Sequence, residues 1–351
     1  MIELAFLILA VYVGLIIFFF RGWNNLSQYK DVNLCVTIVI AFRNEKENLP
    51  LLLKDLSQQD FPLSKLQILL VDDSSDDGYQ DILTSYENIQ CIKSEGRGKK
   101  TAVETGVKNA KYDIILTTDA DCRLSKDWVK KMVSPLIMND IKLVSGPVAY
   151  YKLDSLFMKL QAIEFMSLIG SGAGAIAQNK GFMCNGANMA FRKSIFSNTE
   201  QYIASGDDVF LLHHIKKIKG KMAFVKDKAA IVRTQPKASL NDFINQRKRW
   251  ASKSSSYKDR TAQFVSLLVF LCTVFMFILL LAGQFSYLLL FLAIKSCIDF
   301  LFLKKLSYFF SHKSILYLFL PLQLLYPFYI IWVSVSSQFS TYEWKGRRYS
   351  K

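Results

Sequence analysis

Ile114-Ile115-Leu116-Thr117-Thr118-Asp119-Ala120-Asp121 decides the fold of this chain. The β-branched apolar run is short and does not alternate with polar residues, so residues 112–118 read as a strand buried on both faces. It ends in two carboxylates spaced i,i+2. Upstream, residues 66–71 form a similar run that ends in Asp72-Asp73, and residues 34–41 form another that leads to Asn44-Glu45. Residues 89–92 and 143–148 read as further strands. Helical patterns lie between them. One opens at Asn48-Leu49-Pro50, with Pro in the first turn; another follows Gly96-Arg97-Gly98-Lys99-Lys100 and runs to Ala110. Strands alternating with helices predict an α/β domain, a mostly parallel sheet flanked by helices. Such sheets bind ligands beyond the carboxyl ends of their strands, where Asp72, Asp73, Asp119 and Asp121 fall.

Outside this middle the chain is apolar. Hydrophobic residues make up 51% and aromatic residues 14%, a bias that points to membrane segments. Residues 2–20 carry one charge, Glu3, and are followed by Arg21. With no basic front and no small-residue cleavage site, this segment reads as an uncleaved anchor whose Arg21 end is cytosolic. Residues 264–282, 287–303 and 315–336 each approach the ~20 residues needed to cross a bilayer. The last contains Pro321 and Pro327, and the second contains Lys295 and Asp299 at i,i+4, either an intramembrane pair or the sign of an interfacial segment. The expected organisation is an anchor over 1–22, a catalytic domain over 30–260, two or three membrane segments over 261–340 and a basic tail over 341–351. The charge of the tail argues for the cytosol, whereas four simple crossings would leave it outside. The net charge of +15 favours anionic partners. No long basic run or zinc-finger or RNA-binding signature points to nucleic acid. Six scattered cysteines without a CxxC pair read as reduced thiols.

Several motifs carry chemistry. Asp119 and Asp121 offer hard oxygen ligands to one Mg²⁺ or Mn²⁺ ion, which also holds phosphate oxygens. Asp72 and Asp73, flanked by Asn44 and Glu45, suit hydrogen bonding to a nucleotide base or ribose, whereas Asp76 and Asp77 read as turn residues. Lys99, in the glycine-rich basic loop, suits a diphosphate at a helix start. Gly206-Asp207-Asp208 opens a helix; one Asp serves as an N-cap, and the other is a candidate general base. His213-His214 point about 100° apart on that helix, which disfavours a shared metal. Gln246-Arg247-Lys248-Arg249-Trp250 lies on a helix that puts residues 246, 249 and 250 on one face. It suits a departing diphosphate or lipid phosphates. Residues 153–169 form an amphipathic stretch suited to a membrane surface.

Taken in order, Val36-Thr37-Ile38-Val39-Ile40-Ala41-Phe42-Arg43-Asn44-Glu45, Val71-Asp72-Asp73, Gly98-Lys99, Asp119-Ala120-Asp121, Gly206-Asp207-Asp208 and Gln246-Arg247-Lys248-Arg249-Trp250 resemble the membrane-bound, inverting family-2 glycosyltransferases, which include cellulose and hyaluronan synthases and ceramide glucosyltransferases. The resemblance covers residues 34–252 and implies a GT-A fold with membrane helices at both ends. It implies a UDP-sugar donor contacted by Asn44, Glu45, Asp72, Asp73, Lys99 and Asp119. It implies a metal on Asp119 and Asp121, and Asp208 as the base. Asp207, Asn185, Gly186, Gln246, Arg247, Arg249 and Trp250 then serve the acceptor and diphosphate. Ala41-Phe42-Arg43 departs from the P-x-Y of many members. Trp344-Lys345-Gly346-Arg347 is similar to the tails of membrane lipid glycosyltransferases of the family. The few expected spans favour transfer of one sugar to a lipid or lipid-linked acceptor at the cytosolic face of the plasma or inner membrane. The alternatives are a processive polysaccharide synthase and, more remotely, a non-catalytic nucleotide-sugar-binding membrane protein.

Overall fold

A computed structural model of the chain describes residues 1–197, 207–254, 259–339, 342–344 and 347–349. These fall into two compact units. One comprises Asn25–Tyr151 and Ile176–Gln235; the other comprises Met1–Asn24, Lys152–Ala175 and Pro236–Lys351. Lys152–Ala175 and the chain from Pro236 onward group with the terminal apolar helices.

After α1 (Ile2–Asn24) the chain enters the sheet unit as β1 (Val36–Phe42), α2 (Leu49–Ser57), β2 (Leu66–Asp72), α3 (Gln80–Leu83), β3 (Ile89–Lys93), α4 (Lys99–Lys108), β4 (Ile114–Thr117), α5 (Trp128–Val133), β5 (Ile141–Ser145) and β6 (Val148–Tyr150). Helix α6 (Leu156–Ala177) precedes β7 (Met189–Arg192), α7 (Lys193–Ser197), α8 (Asp207–Lys217), β8 (Lys221–Phe224) and β9 (Val232–Thr234). Then follow α9 (Leu240–Ser254), α10 (Arg260–Leu281), α11 (Phe285–Phe310), α12 (Phe319–Phe339) and two short antiparallel strands, β10 (Tyr342–Trp344) and β11 (Arg347–Tyr349).

The main sheet has the order β3-β2-β1-β4-β7-β5-β8. β1 is parallel to β2 from Val36↔Leu66 to Phe42↔Asp72 and parallel to β4 from Val36↔Ile114 to Val39↔Thr117. Six of its seven residues are buried, as a strand covered on both faces requires. β7 alone is antiparallel to both neighbours. The strand expected over 143–148 is in fact two. Pro147 has no N–H for a ladder, and its carbonyl instead accepts from Val232 N at 3.0 Å, where the chain leaves β5 for the β6–β9 pair.

Five helical segments are long and apolar enough to cross a membrane: Ile2–Asn24, Leu156–Ala177, Arg260–Leu281, Phe285–Phe310 and Lys313–Ser336. α6 is nonetheless not a crossing. β5 lies before it and β7 after it, and the two are hydrogen-bonded neighbours in one sheet. One sheet cannot stand on both faces of a bilayer. Nor does α6 float on one apolar face as an amphipathic surface helix would, since residues 161–166 are all buried.

Within the helical unit α1 packs on α10 and α11. Phe6 lies against Tyr287 and Phe291, Phe20 against Phe302, and Trp23 against Phe309, so α1 and α11 run in the same direction. α6 touches α1 backbone to backbone. A Cβ on Gly174 would lie 2.3 Å from the Phe19 carbonyl oxygen, and one on Gly22 would lie 2.0 Å from that of Gly174. Lys295 and Asp299 form the pair anticipated at i,i+4, at 2.6 Å. Tyr12 donates to Asp299 at 2.8 Å, and Gln323 both accepts from Lys295 and donates to Asp299 at 3.1 Å. Four polar side chains thus satisfy one another across α1, α11 and α12. The two backbone approaches yield a test. Gly174→Leu should destabilise the purified protein by about 1–3 kcal/mol through overpacking, read as a lower thermal midpoint. Gly14→Leu, with nothing within 4 Å of its Cβ, should leave the midpoint in place.

Candidate active site

The carboxyl ends of β1 and β2 are tied together by their loops. Asn44, at φ 52°, exchanges side-chain hydrogen bonds with Asp76: Nδ2 donates to Asp76 Oδ1 at 2.8 Å, and Asn44 Oδ1 accepts from Asp76 N at 3.0 Å. Asp77 Oδ2 accepts from Lys46 N at 2.8 Å. Arg43, which the sequence did not single out, donates to the carbonyls of Asp73 and Ser74 at 2.9 and 2.8 Å. Asp76 and Asp77 hold the turn as expected, and Asn44 joins them. Asn48 donates to Glu45 Oε2 at 2.6 Å.

Asp72 and Asp73 are buried beneath this turn. Asp72 Oδ1 accepts from Ser75 N at 2.8 Å, and Asp73 Oδ1 accepts from Gly98 N at 2.8 Å. The second bond pins the basic loop to β2. Gly98 sits at φ 98°, a region that penalises a side chain, and the loop delivers Lys99 as the first residue of α4. The Lys99 ammonium reaches Asp119 Oδ1 at 2.5 Å. Asp119 and Asp121 occupy a turn closed by Cys122 N donating to the Asp119 carbonyl at 3.2 Å. Thr234 donates to Asp121 Oδ2 at 3.5 Å. Burial, with Asp121 and Asp119 beside it, holds the Cys122 thiol well above its usual range.

The other side of β4 carries the candidate base. Thr117 Oγ1 donates to the Gly186 carbonyl at 2.8 Å, and Gly186 N donates to Asp208 Oδ2 at 2.9 Å. Asp208 Oδ1 accepts from Val209 N at 2.9 Å. Two backbone N–H groups therefore fix this carboxylate, and a two-bond chain links it to Thr117, the last residue of β4. Asn185 caps the turn at 186–188 by accepting from Ala187 N. Asn188, fully buried, accepts from Trp128 Nε1 at 2.9 Å and donates to the carbonyls of Pro147 and Ala230 at 2.8 Å. Asn188 thus anchors the loop that carries Asn185 and Gly186 in the core. Cys184 is one of six free thiols and is held protonated by burial and the nearby Asp208. Asp207 opens α8, with its side chain outside the described residues, as is Gly206.

The helical unit holds the remaining group. Gln246, Arg249 and Trp250 are partly exposed on α9. Arg247 departs from the expectation. It is 3% exposed, and its guanidinium is bound to Glu164 of α6 at 2.6 Å. A guanidinium so enclosed is engaged as framework, and the sequence signal for it was the lone carboxylate Glu164 in an apolar run.

Among the described residues no three His, Cys, Asp or Glu side chains converge as a metal cluster. Asp119 and Asp121 alone supply carboxylate oxygens of the hard kind that suit Mg²⁺ or Mn²⁺. The fit is supported by the cation that Asp119 already holds, the Lys99 ammonium. Protein ligands this few leave further positions to phosphate oxygens and water.

The profile described as Glycosyl transferase family 2 matches residues 37–199. Glycosyltransferase AglE of Haloferax volcanii is 32% identical over 120 residues, 33% of this chain and 40% of that protein. Undecaprenyl-phosphate 4-deoxy-4-formamido-L-arabinose transferase of Yersinia enterocolitica is 29% identical over 167 residues, 46% and 49% of the two chains. Poly-beta-1,6-N-acetyl-D-glucosamine synthase of Staphylococcus aureus is 30% identical over 170 residues, 45% and 40%. The chain spans less than half the length of each of these relatives. A solved structure, mannosyltransferase PcManGT from Pyrobaculum calidifontis in complex with GDP-Man and Mn²⁺, superposes with a TM-score of 0.63 at 15% identity, covering 96% of this chain and 99% of that one, and so shares its fold.

The acidic turn depends on a partner outside it. Asp55, 8% exposed, receives Arg123 Nε and Nη2 at 2.6 and 2.7 Å and Leu124 N at 2.9 Å. Asp55→Ala should strip this mostly buried pair and cost about 2 kcal/mol or more, measured by chemical denaturation of the purified protein.

Proposed function

We propose that the chain, whose residues 37–199 match the glycosyl transferase family 2 profile, moves one sugar from a nucleoside-diphosphate sugar to a hydroxyl of a lipid or lipid-linked acceptor, with inversion, at the cytosolic face of a membrane. The observation that carries this reading is the connection of Asp208 through Gly186 to Thr117, two residues before Asp119. Base and diphosphate-side carboxylate share one strand end.

Asp208 takes the proton of the acceptor hydroxyl. The freed oxygen pair attacks the anomeric carbon from the face opposite the diphosphate, which departs with the electrons of the broken bond. Backbone N–H groups on both carboxylate oxygens set the direction from which Asp208 receives that proton. Asp72 and Asp73 serve the base and ribose of the donor, and Lys99 can turn from Asp119 to the diphosphate. Gln246, Arg249 and Trp250 serve the diphosphate and acceptor. Asp119 and Asp121 would hold a divalent cation, which would neutralise charge on the leaving group.

The orientation rests on charge. α1 and α11 run in the same direction, and α10 turns back into α11 through three residues, 282–284. Exposed Arg21, Arg260, Lys304 and Lys305 therefore lie toward one end of these helices, the end from which the chain enters the sheet unit. A processive synthase is the second reading, favoured by the similarity to the Staphylococcus aureus polymer synthase.

Membranes given labelled UDP- and GDP-sugars should pass label into organic-extractable lipid with one or few sugars. Long polymer with no such lipid would support the second reading instead. Asp208→Asn should bind donor normally and lose at least ~10² in turnover. If donor binding collapses while bound donor turns over at the normal rate, Asp208 is not the base. A chelator should silence the wild type, and Asp121→Ala should be nearly inactive in saturating Mn²⁺; full activity in chelator would end the metal assignment.

A further inference from the structure

Arg247 is the residue of Gln246-Arg247-Lys248-Arg249-Trp250 that turns inward, and what it touches bears on its two neighbours. Its Nε lies 3.2 Å from both Glu164 oxygens, and its Nη2 lies 2.6 Å from Glu164 Oε2. Tyr329 of α12 donates to Glu164 Oε1 at 2.8 Å. The remaining arm, Nη1, donates to Gln246 Oε1 at 2.8 Å. The guanidinium plane also lies 4.3 Å from the centre of the Trp250 ring and 4.4 Å from that of Phe243. Glu164 and Arg247 are 7% and 3% exposed, so water does not compete for these bonds.

This geometry selects an orientation for the Gln246 amide. An amide has one acceptor end and one donor end, and an Arg can only donate. Because Nη1 holds Oε1, the NH₂ end faces away from Arg247. An outward NH₂ suits an oxygen that gains negative charge, such as that of a departing diphosphate; an outward carbonyl would repel it. Arg247 in turn has its fork aimed by Glu164. A carboxylate is needed there, since it accepts from two arms of the fork and from Tyr329 at once.

We propose that Glu164, acting through Arg247, is a positioning residue that holds the Gln246 amide donor-outward and fixes the Trp250 ring for the leaving diphosphate. The inference rests on the reading of Gln246 and Trp250 given above. It concerns the step in which charge develops, so loss of the device lowers kcat more than it raises the KM for donor.

Glu164→Gln alone leaves Arg247 as a buried unpaired charge and can fail to fold. The decisive variant is therefore the double substitution Glu164→Gln with Arg247→Met, which buries no charge. Its thermal midpoint should stay within a few degrees of wild type. Its kcat should stay at least tenfold down, with donor KM changed less than about threefold. Arg247→Lys keeps the ion pair but has no second arm for Gln246, and should lose kcat in the same way. A role limited to neutralising a buried charge predicts the opposite, wild-type kcat in the double variant, and that result overturns the proposal. So does a loss confined to KM. A second arm needs no turnover. The tryptophan fluorescence of the double variant should differ from wild type, and the difference should vanish when both carry Trp250→Phe. An unchanged spectrum overturns the positioning of Trp250. An inactive wild type would end the proposed function and leave the fluorescence arm to decide this inference.

Discussion

The polar chemistry of the sheet unit depends on one constraint, the parallel register of β1 with both β2 and β4. Parallel strands put their carboxyl ends on one edge, so Phe42 comes level with Asp72 and Val39 with Thr117. Every later contact uses that alignment. Arg43 reaches the carbonyls of Asp73 and Ser74, Asp73 reaches Gly98, and Lys99 reaches Asp119. A slip of one residue would turn all these side chains to the other face of the sheet. The apolar run of β1, buried on both sides, makes such a slip costly, and in that way hydrophobic burial fixes the geometry of the carboxylates at the strand ends.

The two units solve the burial of charge in related ways. In the sheet unit Asp55 is matched by the fork of Arg123 and a backbone N–H. In the helical unit Glu164 is matched by Arg247 and Tyr329, and Asp299 by Lys295, Tyr12 and Gln323. Each carboxylate receives three donor atoms, at least one of them from a cation. A buried carboxylate with fewer partners would keep most of its desolvation cost, and none of these elements is long enough to offset that by apolar contact alone.

The sequence made the fold legible where composition and period agreed. Strands β1, β2 and β4 are uniform apolar runs with acidic ends, and the structure places them within two residues of their expected limits. β7 escaped notice. Met189–Arg192 is four residues long, follows a glycine-containing turn, and becomes a central strand only because β4 and β5 flank it. Tertiary pairing decides such a segment, and local pattern does not. The site residues divide similarly. The carboxylates beyond strands were readable because their type and place are unusual together. Arg247 was assigned to the acceptor and diphosphate from the motif in which it stands, and the burial of its guanidinium against Glu164, 83 residues earlier in an apolar helix, is not visible in that motif. The length and hydropathy of α6 resemble those of the terminal helices, and chain connectivity was needed to tell it from a crossing.

The insertion of α6 between β5 and β7 has a consequence for how the chain is made. The ribosome delivers α1 and α6 long before α9, so the Gly22–Gly174 contact can form while Glu164 still has no guanidinium to meet. The central strand β7 emerges only after α6, and the sheet cannot close until α6 has been set aside from it. A nascent chain therefore holds an apolar helix with an uncompensated carboxylate through the synthesis of the next 83 residues.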